Sequence, residues 1–160
     1  MVTWGELQGA RPDLAAVGTA LLQEYQLAYL ATVRPDGAPR LHPVSPFIID
    51  GRILVATRRS SPKAADQIRD GRYVLHMLPG ENDAEFRLRG SAHLLSPGPD
   101  RSSLIDLGPH YAREEDYLFE YDIEEVATAY WVNVGQPGTY PVRQFWRFPP
   151  SAYPPLRARP

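Results

Sequence analysis

The sequence has 160 residues, of which 43% are hydrophobic and 22% charged, and its formal net charge is -2; these values indicate one globular domain with a sizeable core. The charge balance lacks the basic surplus of nucleic-acid-binding proteins, and no run of about 18 apolar residues marks a membrane span. The absence of cysteine excludes disulfides, thiolate catalysis and zinc–cysteine sites. Together with an N-terminus that lacks the apolar run of a signal peptide, it predicts a cytoplasmic protein.

The first part of the chain predicts a helix followed by short strands. Residues 12–27 carry apolar side chains at helical spacing. After them, Pro35-Asp36-Gly37 and Asp50-Gly51 are turn sequences between apolar runs, which is typical of strands joined by tight connections. Because Pro43 and Pro46 interrupt the second run and each lacks an N–H donor, that run is expected at a sheet edge. The predicted strands are 28–34, 40–50 and 52–58.

The middle of the chain predicts one short helix and one alternating strand. Ser61 precedes Pro62, and Gly71 follows; these residue types begin and end helices, so 61–71 is predicted to be helical. A strand over 73–78 comes next. Residues 85–95 then alternate, which predicts an inward face of Phe86, Leu88, Gly90, Ala92 and Leu94 and an outward face of Arg87, Arg89, Ser91 and His93.

The last part of the chain is rich in acidic residues and then in prolines. Seven carboxylates between Glu114 and Glu125 predict a helix with a solvated face over 99–125, and two strands are expected near 126–134 and 139–148. We interpret 1–150 as one domain and 151–160 as an extended Pro-rich tail. About seven strands with short connections predict a mainly β fold with flanking helices, whose mostly antiparallel sheet closes wholly or partly into a barrel.

The segment from Thr57 to Lys63 is the most informative about chemistry. It contains three cations and three hydroxyls in seven residues, at the junction of a predicted strand and a predicted helix. The start of a helix offers backbone N–H groups and a partial positive charge, so hydroxyls and cations placed there can complete a phosphate site. A solvated turn capped by Ser61 is the other interpretation, and this segment alone leaves both open.

The order of the segments resembles the pyridoxamine 5'-phosphate oxidase-like FMN-binding split-barrel superfamily. The resemblance is carried by YLATVRPDGAPRLHPV from Tyr29 to Val44, DGRILVAT from Asp50 to Thr57, and Ser61-Pro62-Lys63 before a short helix. It covers residues 12–95 in order and the two C-terminal strands less clearly. It implies a split β-barrel that forms homodimers and holds FMN between the subunits by its phosphate, or alternatively the deazaflavin F420, with a small molecule as substrate.

The resemblance also implies which residues contact the cofactor. The strand end and the helix start would hold the phosphate, the strand 40–44 would lie along the ring system, and the second subunit would contribute further residues. No side chain is assigned a catalytic role. The implied cofactor-binding residues are Arg40, His42, Pro43, Val44, Thr57, Arg58, Arg59, Ser61, Lys63, Arg87, Arg89 and Trp146, with Trp131 as a further candidate.

The C-terminal strand departs from the founding enzyme of that family. Gln144-Phe145-Trp146 is similar to its Glu-Phe-Trp signature, but the histidine and arginines that should follow are replaced by Arg147-Phe148-Pro149-Pro150. The expected function is therefore an FMN-dependent oxidoreductase other than a true pyridoxamine 5'-phosphate oxidase. The alternatives are an F420-dependent reductase and a non-catalytic flavin- or haem-binding protein.

The four histidines do not predict a metal site. His42, His76, His93 and His110 lack the paired spacing that places two ligands on one face of a helix. His110, next to Tyr111, is a candidate haem ligand, because haem binding occurs in some members of the superfamily.

Overall fold

Eight strands and four α-helices make up the part of the chain that the computed structural model describes, residues 1–148. The predicted tail 151–160 lies outside the described residues. The helices are α1 (Trp4–Ala10), α2 (Pro12–Tyr25), α3 (Pro62–Arg69) and α4 (Pro99–Asp106); the strands are β1 (Ala28–Val33), β2 (Pro39–Val44), β3 (Phe47–Ile49), β4 (Arg52–Thr57), β5 (Arg72–Met77), β6 (Glu85–Leu94), β7 (Tyr117–Val132) and β8 (Tyr140–Arg147).

All strand pairs in the described residues are antiparallel, as predicted, and form one sheet in the order β2-β1-β5-β6-β7-β4-β3, with β8 also paired to β7. β7 pairs with three other strands. β6 lies along one of its edges, while β4 pairs with residues 117–120 and β8 with residues 125–132.

The two ends of this strand order are joined by the chain itself. β2 ends at Val44 and β3 begins at Phe47, so the terminal strands are at most about 10 Å apart along the backbone and the sheet must curl back on itself. This arrangement is consistent with a split barrel. It also corrects the prediction of one strand over 40–50, which the structure breaks at Ser45-Pro46; β2 does lie at a sheet edge, as its prolines predict.

The N-terminal helix α1 was not predicted. Thr3 and Glu6 form a reciprocal capping box, with Glu6 N–H donating to Thr3 Oγ1 at 3.3 Å and Thr3 N–H donating to Glu6 Oε2 at 2.7 Å. Trp4 and Leu7 become fully buried. Two glycines within seven residues weaken the helical pattern, so packing and the cap determine this helix. None of the helices in residues 1–148 is long and apolar enough to cross a membrane.

The register of β6 is confirmed except at its end. Phe86, Leu88 and Ala92 are buried, while Leu94 is 40% exposed because it lies beyond the last core-facing position. Gly90 meets a bulge in β7: a Cβ there would lie 1.9 Å from the Asp122 carbonyl oxygen, so the close approach of the two strands requires glycine at this position.

The prediction of a helix over 99–125 is wrong for most of its length. α4 ends at Asp106, and the acidic segment from residue 117 onward lies in the first part of β7. Phe119, Tyr121 and Ile123 are buried and alternate with half-buried acidic residues, which is the period of a strand with one covered face.

Candidate functional site

The start of α3 differs from the predicted cap in one respect. Ser61 occupies the N-cap position and Pro62 the first helical position, but the Ser61 side chain makes no capping hydrogen bond. The turn is instead closed by the backbone, where Ser61 N–H donates to the Arg58 carbonyl at 2.9 Å and Ala64 N–H donates to the Ser61 carbonyl at 2.9 Å. The Ser61 hydroxyl is therefore not used by the helix cap.

Lys63 lies in the first turn of α3 and is the only lysine among the 17 basic residues of the sequence. Its side chain is half-buried, and burial lowers the pKa of its ammonium group. Within residues 1–148 no carboxylate forms an ion pair with it. A partly desolvated ammonium that lacks a partner is suited to pairing with an anion, because burial of a charge is costly unless it is paired.

Two buried polar atoms near this turn also have no partner among the described residues. They are the Thr57 hydroxyl at the end of β4 and Nε2 of His42 on β2. Burial lowers the pKa of His42, and the positive charges of Lys63 and Arg40 act in the same direction, whereas Asp66 opposes them. His42 is thus within electrostatic range of Lys63, and its surroundings favour the neutral form of its imidazole.

The strand register explains why these groups meet. His42 lies opposite Leu30, and Leu30 lies opposite Leu75; the two leucines are fully buried, so His42 points to the inner face of the sheet. Thr57, 3% exposed, follows Val55 in the same inward-facing row of β4.

Asp66 joins α3 to β1 and β2 by hydrogen bonds and is not among the residues that the sequence predicted. It is 2% exposed and accepts hydrogen bonds from Arg40 Nε at 2.7 Å, Thr32 Oγ1 at 3.1 Å and Arg69 at 3.3 Å. Burial acts to raise the pKa of Asp66, but these hydrogen bonds outweigh it and the pKa is lowered. Arg40, a predicted cofactor contact, is therefore engaged by Asp66.

Gln67 also holds α3 in place. Its side chain donates to the Lys63 carbonyl at 3.1 Å, and its amide oxygen accepts a hydrogen bond from the buried hydroxyl of Tyr121. Both contacts fix the first turn of α3 against the core. A signal in the sequence was the spacing of Asp66 and Arg69, which allows an ion pair along one helix face.

Arg58 and Arg59 lie in a different place from Lys63. They line an open cleft of about 680 Å³ together with Ser60, Tyr111, Arg113 and the carboxylates of Glu115 and Asp116. The guanidinium of Arg59 stands 5.1 Å from the centre of the Tyr117 ring, a cation–π distance. The structure therefore divides the predicted phosphate segment between the inner face of the sheet and this arginine cleft.

Arg87 and Arg89 lie on the opposite face of the sheet. Arg87 donates to Glu125 Oε1 at 3.0 Å, and Arg89 lies 3.2 Å from Glu124 Oε1 and 3.6 Å from Glu125 Oε2. Glu125, only 5% exposed, also accepts from Arg147. These two predicted cofactor contacts are thus neutralised within the chain and are not brought together with Lys63.

The remaining predicted residues are divided between core and surface. Val44 is buried in the core, and Pro43 is exposed on the outer face. Trp146 packs against the core and stacks on Phe148 with ring centres 5.9 Å apart, while Trp131 is half-buried at the end of β7. In residues 1–148 no group of three or more histidines or carboxylates could hold a metal ion.

Comparisons with solved structures agree on the fold. A protein of Clostridium acetobutylicum related to general stress protein 26 of B. subtilis, of the pyridoxinephosphate oxidase family, is 14% identical, with a TM-score of 0.62 over 85% of this chain and 96% of that one. A heme-binding protein of Mycobacterium smegmatis is 16% identical, with a TM-score of 0.60 over 82% of this chain and 58% of that one. HutZ, the heme storage protein of Vibrio cholerae, is 14% identical, with a TM-score of 0.58 over 69% and 90%.

The sequence comparison identifies the family. No curated protein matches this sequence. The sequence profile of pyridoxamine 5'-phosphate oxidase matches residues 17–134, a range that includes β1 to β7 and the residues His42, Thr57, Ser61, Lys63 and Asp66. The chain therefore belongs to the pyridoxamine 5'-phosphate oxidase family.

Proposed function

We propose that the protein binds FMN and acts as a flavin-dependent oxidoreductase. The observation that supports this most is Lys63, a half-buried ammonium without a carboxylate partner in the described residues, at the start of a helix and within electrostatic range of His42. A phosphate monoester would supply the missing negative charge. The unpartnered Thr57 hydroxyl and His42 Nε2 offer further polar contacts along the same face.

The chain would bind and orient the cofactor. Lys63 and the Ser61 hydroxyl would hold the phosphate, and β2 would place His42 beside the ring system. FMN, when bound, supplies the hydride or electron chemistry. F420 is the alternative cofactor, with its longer anionic tail extending into the arginine cleft. Because the residues after Trp146 depart from the oxidase signature, we do not propose pyridoxamine 5'-phosphate as the substrate.

The direct test is a titration of FMN, riboflavin and F420 into wild-type protein and Lys63→Ala. A charge-assisted hydrogen bond contributes about 1.5–3 kcal/mol, so we expect wild type to prefer FMN over riboflavin and Lys63→Ala to lose roughly tenfold or more in FMN affinity. Mass spectrometry of any ligand released on denaturation identifies the natural cofactor. Equal binding of FMN and riboflavin to wild type would contradict phosphate recognition.

The single lysine allows a second, independent measurement. The chain contains two amines, Nζ of Lys63 and the N-terminus, so an amine-reactive reagent gives a two-site pattern that a peptide map resolves. We expect FMN to slow labelling of Lys63 while the N-terminus reacts at an unchanged rate. Protection by riboflavin equal to that by FMN would place the ring, instead of the phosphate, beside Lys63.

A homodimer is the second part of the proposal. On the outer face of the sheet, Leu41 lies opposite Ala31 and Pro43 opposite Tyr29, and Leu41 and Tyr29 are 63% and 43% exposed. An apolar patch on an edge strand is suited to burial against a second copy of the chain. We expect a dimer by light scattering at micromolar concentration and a monomer for Leu41→Glu.

Haem binding is the second candidate function. It is favoured by the position of His110, which lines a cleft beside α1 and α2 and whose ring stands edge-on to Tyr111 at 5.7 Å. Tyr111 in turn lines the neighbouring cleft that holds Arg58, Arg59 and Arg113. Arginines can pair with haem propionates. A hemin titration followed by the Soret band tests this function, and the band should shift in His110→Ala. If hemin does not bind saturably, this candidate fails.

A further inference from the structure

A second cleft lies away from both Lys63 and the sheet's outer face. It has a volume of about 530 Å³ and is bounded by α1, α2, the connection between β2 and β3, and the segment Pro109–Tyr111. Clefts of this size hold small organic ligands. Tyr111 is the one residue that it shares with the arginine cleft, and its hydroxyl donates to the Ser45 carbonyl at 3.3 Å, which holds this wall in place.

The lining of this cleft is uncharged. It contains no lysine, arginine, aspartate or glutamate, although 22% of the chain is charged. An adjoining groove of about 500 Å³ along α2 has the same property and shares three lining residues with the cleft. The polar groups are the amides of Gln8, Gln23 and Gln26, together with Thr19 and His110, and the apolar part includes Leu22, Phe47 and Ile48.

Trp4 provides an observation independent of the cleft's shape. Its side chain is fully buried and lines the cleft, yet its indole N–H has no acceptor among the described residues. Buried donors in native proteins almost always have a partner, and an indole N–H can only donate. A ligand with an acceptor oxygen or nitrogen at the Trp4 wall of the cleft would satisfy this donor.

We propose that this neutral cleft binds an uncharged, ring-containing small molecule, with a carbonyl-type acceptor directed at Trp4 and polar edges facing the glutamine amides. An ionised ligand is disfavoured because no residue of the lining compensates its charge. The site is separate from the one proposed for the FMN phosphate and does not depend on it.

The test uses a matched pair of bicyclic probes, coumarin-3-carboxamide and coumarin-3-carboxylate, which share one ring system and differ in charge. Each is titrated into the full-length ¹⁵N-labelled protein, and the indole N–H signals are followed by NMR, with Trp4→Phe used only for assignment. We expect the carboxamide to shift the Trp4 signal saturably and the carboxylate to bind at least tenfold more weakly.

Three variants give the proposal a clear outcome. Thr19→Trp should fill the cleft and abolish the shift, whereas Val17→Trp, on the same helix but outside the lining, should bind as wild type does. Gln23→Lys, at an exposed position, should narrow the difference between the two probes even if Thr19→Trp fails to fold. An unmoved Trp4 signal, equal affinity for both probes, or normal binding by a folded Thr19→Trp would overturn the proposal, as would an unchanged preference in Gln23→Lys.

Discussion

The cations at two places in this molecule have opposite surroundings. On the outer face of the sheet, Arg87, Arg89 and Arg147 converge on the buried carboxylate of Glu125. At the start of α3, Lys63 is half-buried and has no ion pair within the described residues. The carboxylates that could neutralise the second group, above all Asp66, are directed at Arg40 and Arg69 instead.

A structural cation differs from a candidate binding group in whether a carboxylate of the fold pairs with it. Arginines that converge on a buried carboxylate stabilise the contact between β6, β7 and β8. An unpaired, partly desolvated ammonium contributes nothing comparable to the fold, so its position is better explained by a ligand. The spacing of cations along a sequence does not distinguish these cases; their distance from carboxylates in the fold does.

The largest expected effect is on the paired group. Glu125→Ala should lower the free energy of unfolding by about 3 kcal/mol, because it leaves three arginines around a buried position without their partner. Urea denaturation measures this effect. Glu124→Ala is the control, since its pair with Arg89 is 42% exposed on both sides and such pairs contribute at most about 1 kcal/mol. Equal losses in the two variants would mean that Glu125 does not organise the cluster.

The next effect concerns ligand binding by the two groups. Arg87→Ala should leave FMN affinity within about twofold of wild type, because Glu125 already occupies this guanidinium. Lys63→Ala should weaken FMN binding roughly tenfold while changing stability by less than about 0.5 kcal/mol. If Arg87→Ala weakens FMN as strongly as Lys63→Ala does, then the outer face takes part in the site, as it would in a dimer with the cofactor between subunits.

A smaller effect is expected from pH. The pKa of His42 is lowered in the folded protein, so the unfolded chain binds the proton more tightly. Stability should therefore be full above the unfolded value of about 6.5 and fall as the pH drops from there toward the lowered folded pKa. His42→Gln should flatten that part of the curve in thermal melts. A wild-type curve that is already flat there would show that protonation of His42 does not lower the stability of the folded protein.

The smallest effect is expected at an exposed pair. Arg72 donates to Asp70 at 2.6 Å, and this contact lowers the pKa of Asp70 to about 2. Because Arg72 is 73% exposed, solvent screens the pair, and Asp70→Asn should leave both the unfolding midpoint and FMN affinity unchanged. A clear loss in either would contradict the view that burial, and not ion pairing as such, separates the two groups of cations.

Local patterns in the sequence were sufficient for most of the fold. Turn residues located the hairpin at Asp50-Gly51, and the alternation from Phe86 to Ala92 fixed the inner face of β6. The density of acidic residues favours a solvated helix in this segment, but Phe119, Tyr121 and Ile123 alternate with acidic residues, and this period of two is a strand signal. The capping box of Thr3 and Glu6 is likewise a signal that the sequence contains for the start of α1.

The site was predictable only in part, because its chemistry depends on long-range contacts. The sequence indicated Lys63 and Thr57 by their place at a strand–helix junction. It did not show that Asp66 would form an ion pair with Arg40, 26 positions away, or that Glu125 would form one with Arg87, 38 positions away. Nor did the sequence show that Arg58 and Arg59 would lie in a different place from Lys63. Their positions depend on how the chain turns between the end of β4 and the start of α3.

The pairing pattern of β7 has a consequence for biosynthesis. In the described residues the β3–β4 hairpin is hydrogen-bonded to the rest of the sheet through β7 alone. A nascent chain that has emerged only as far as α4 therefore holds two separate antiparallel pieces, the four-stranded β2-β1-β5-β6 and the hairpin. Because domains fold as units during synthesis, closure must wait until Tyr117–Glu120, the residues of β7 that pair with β4, have left the ribosome.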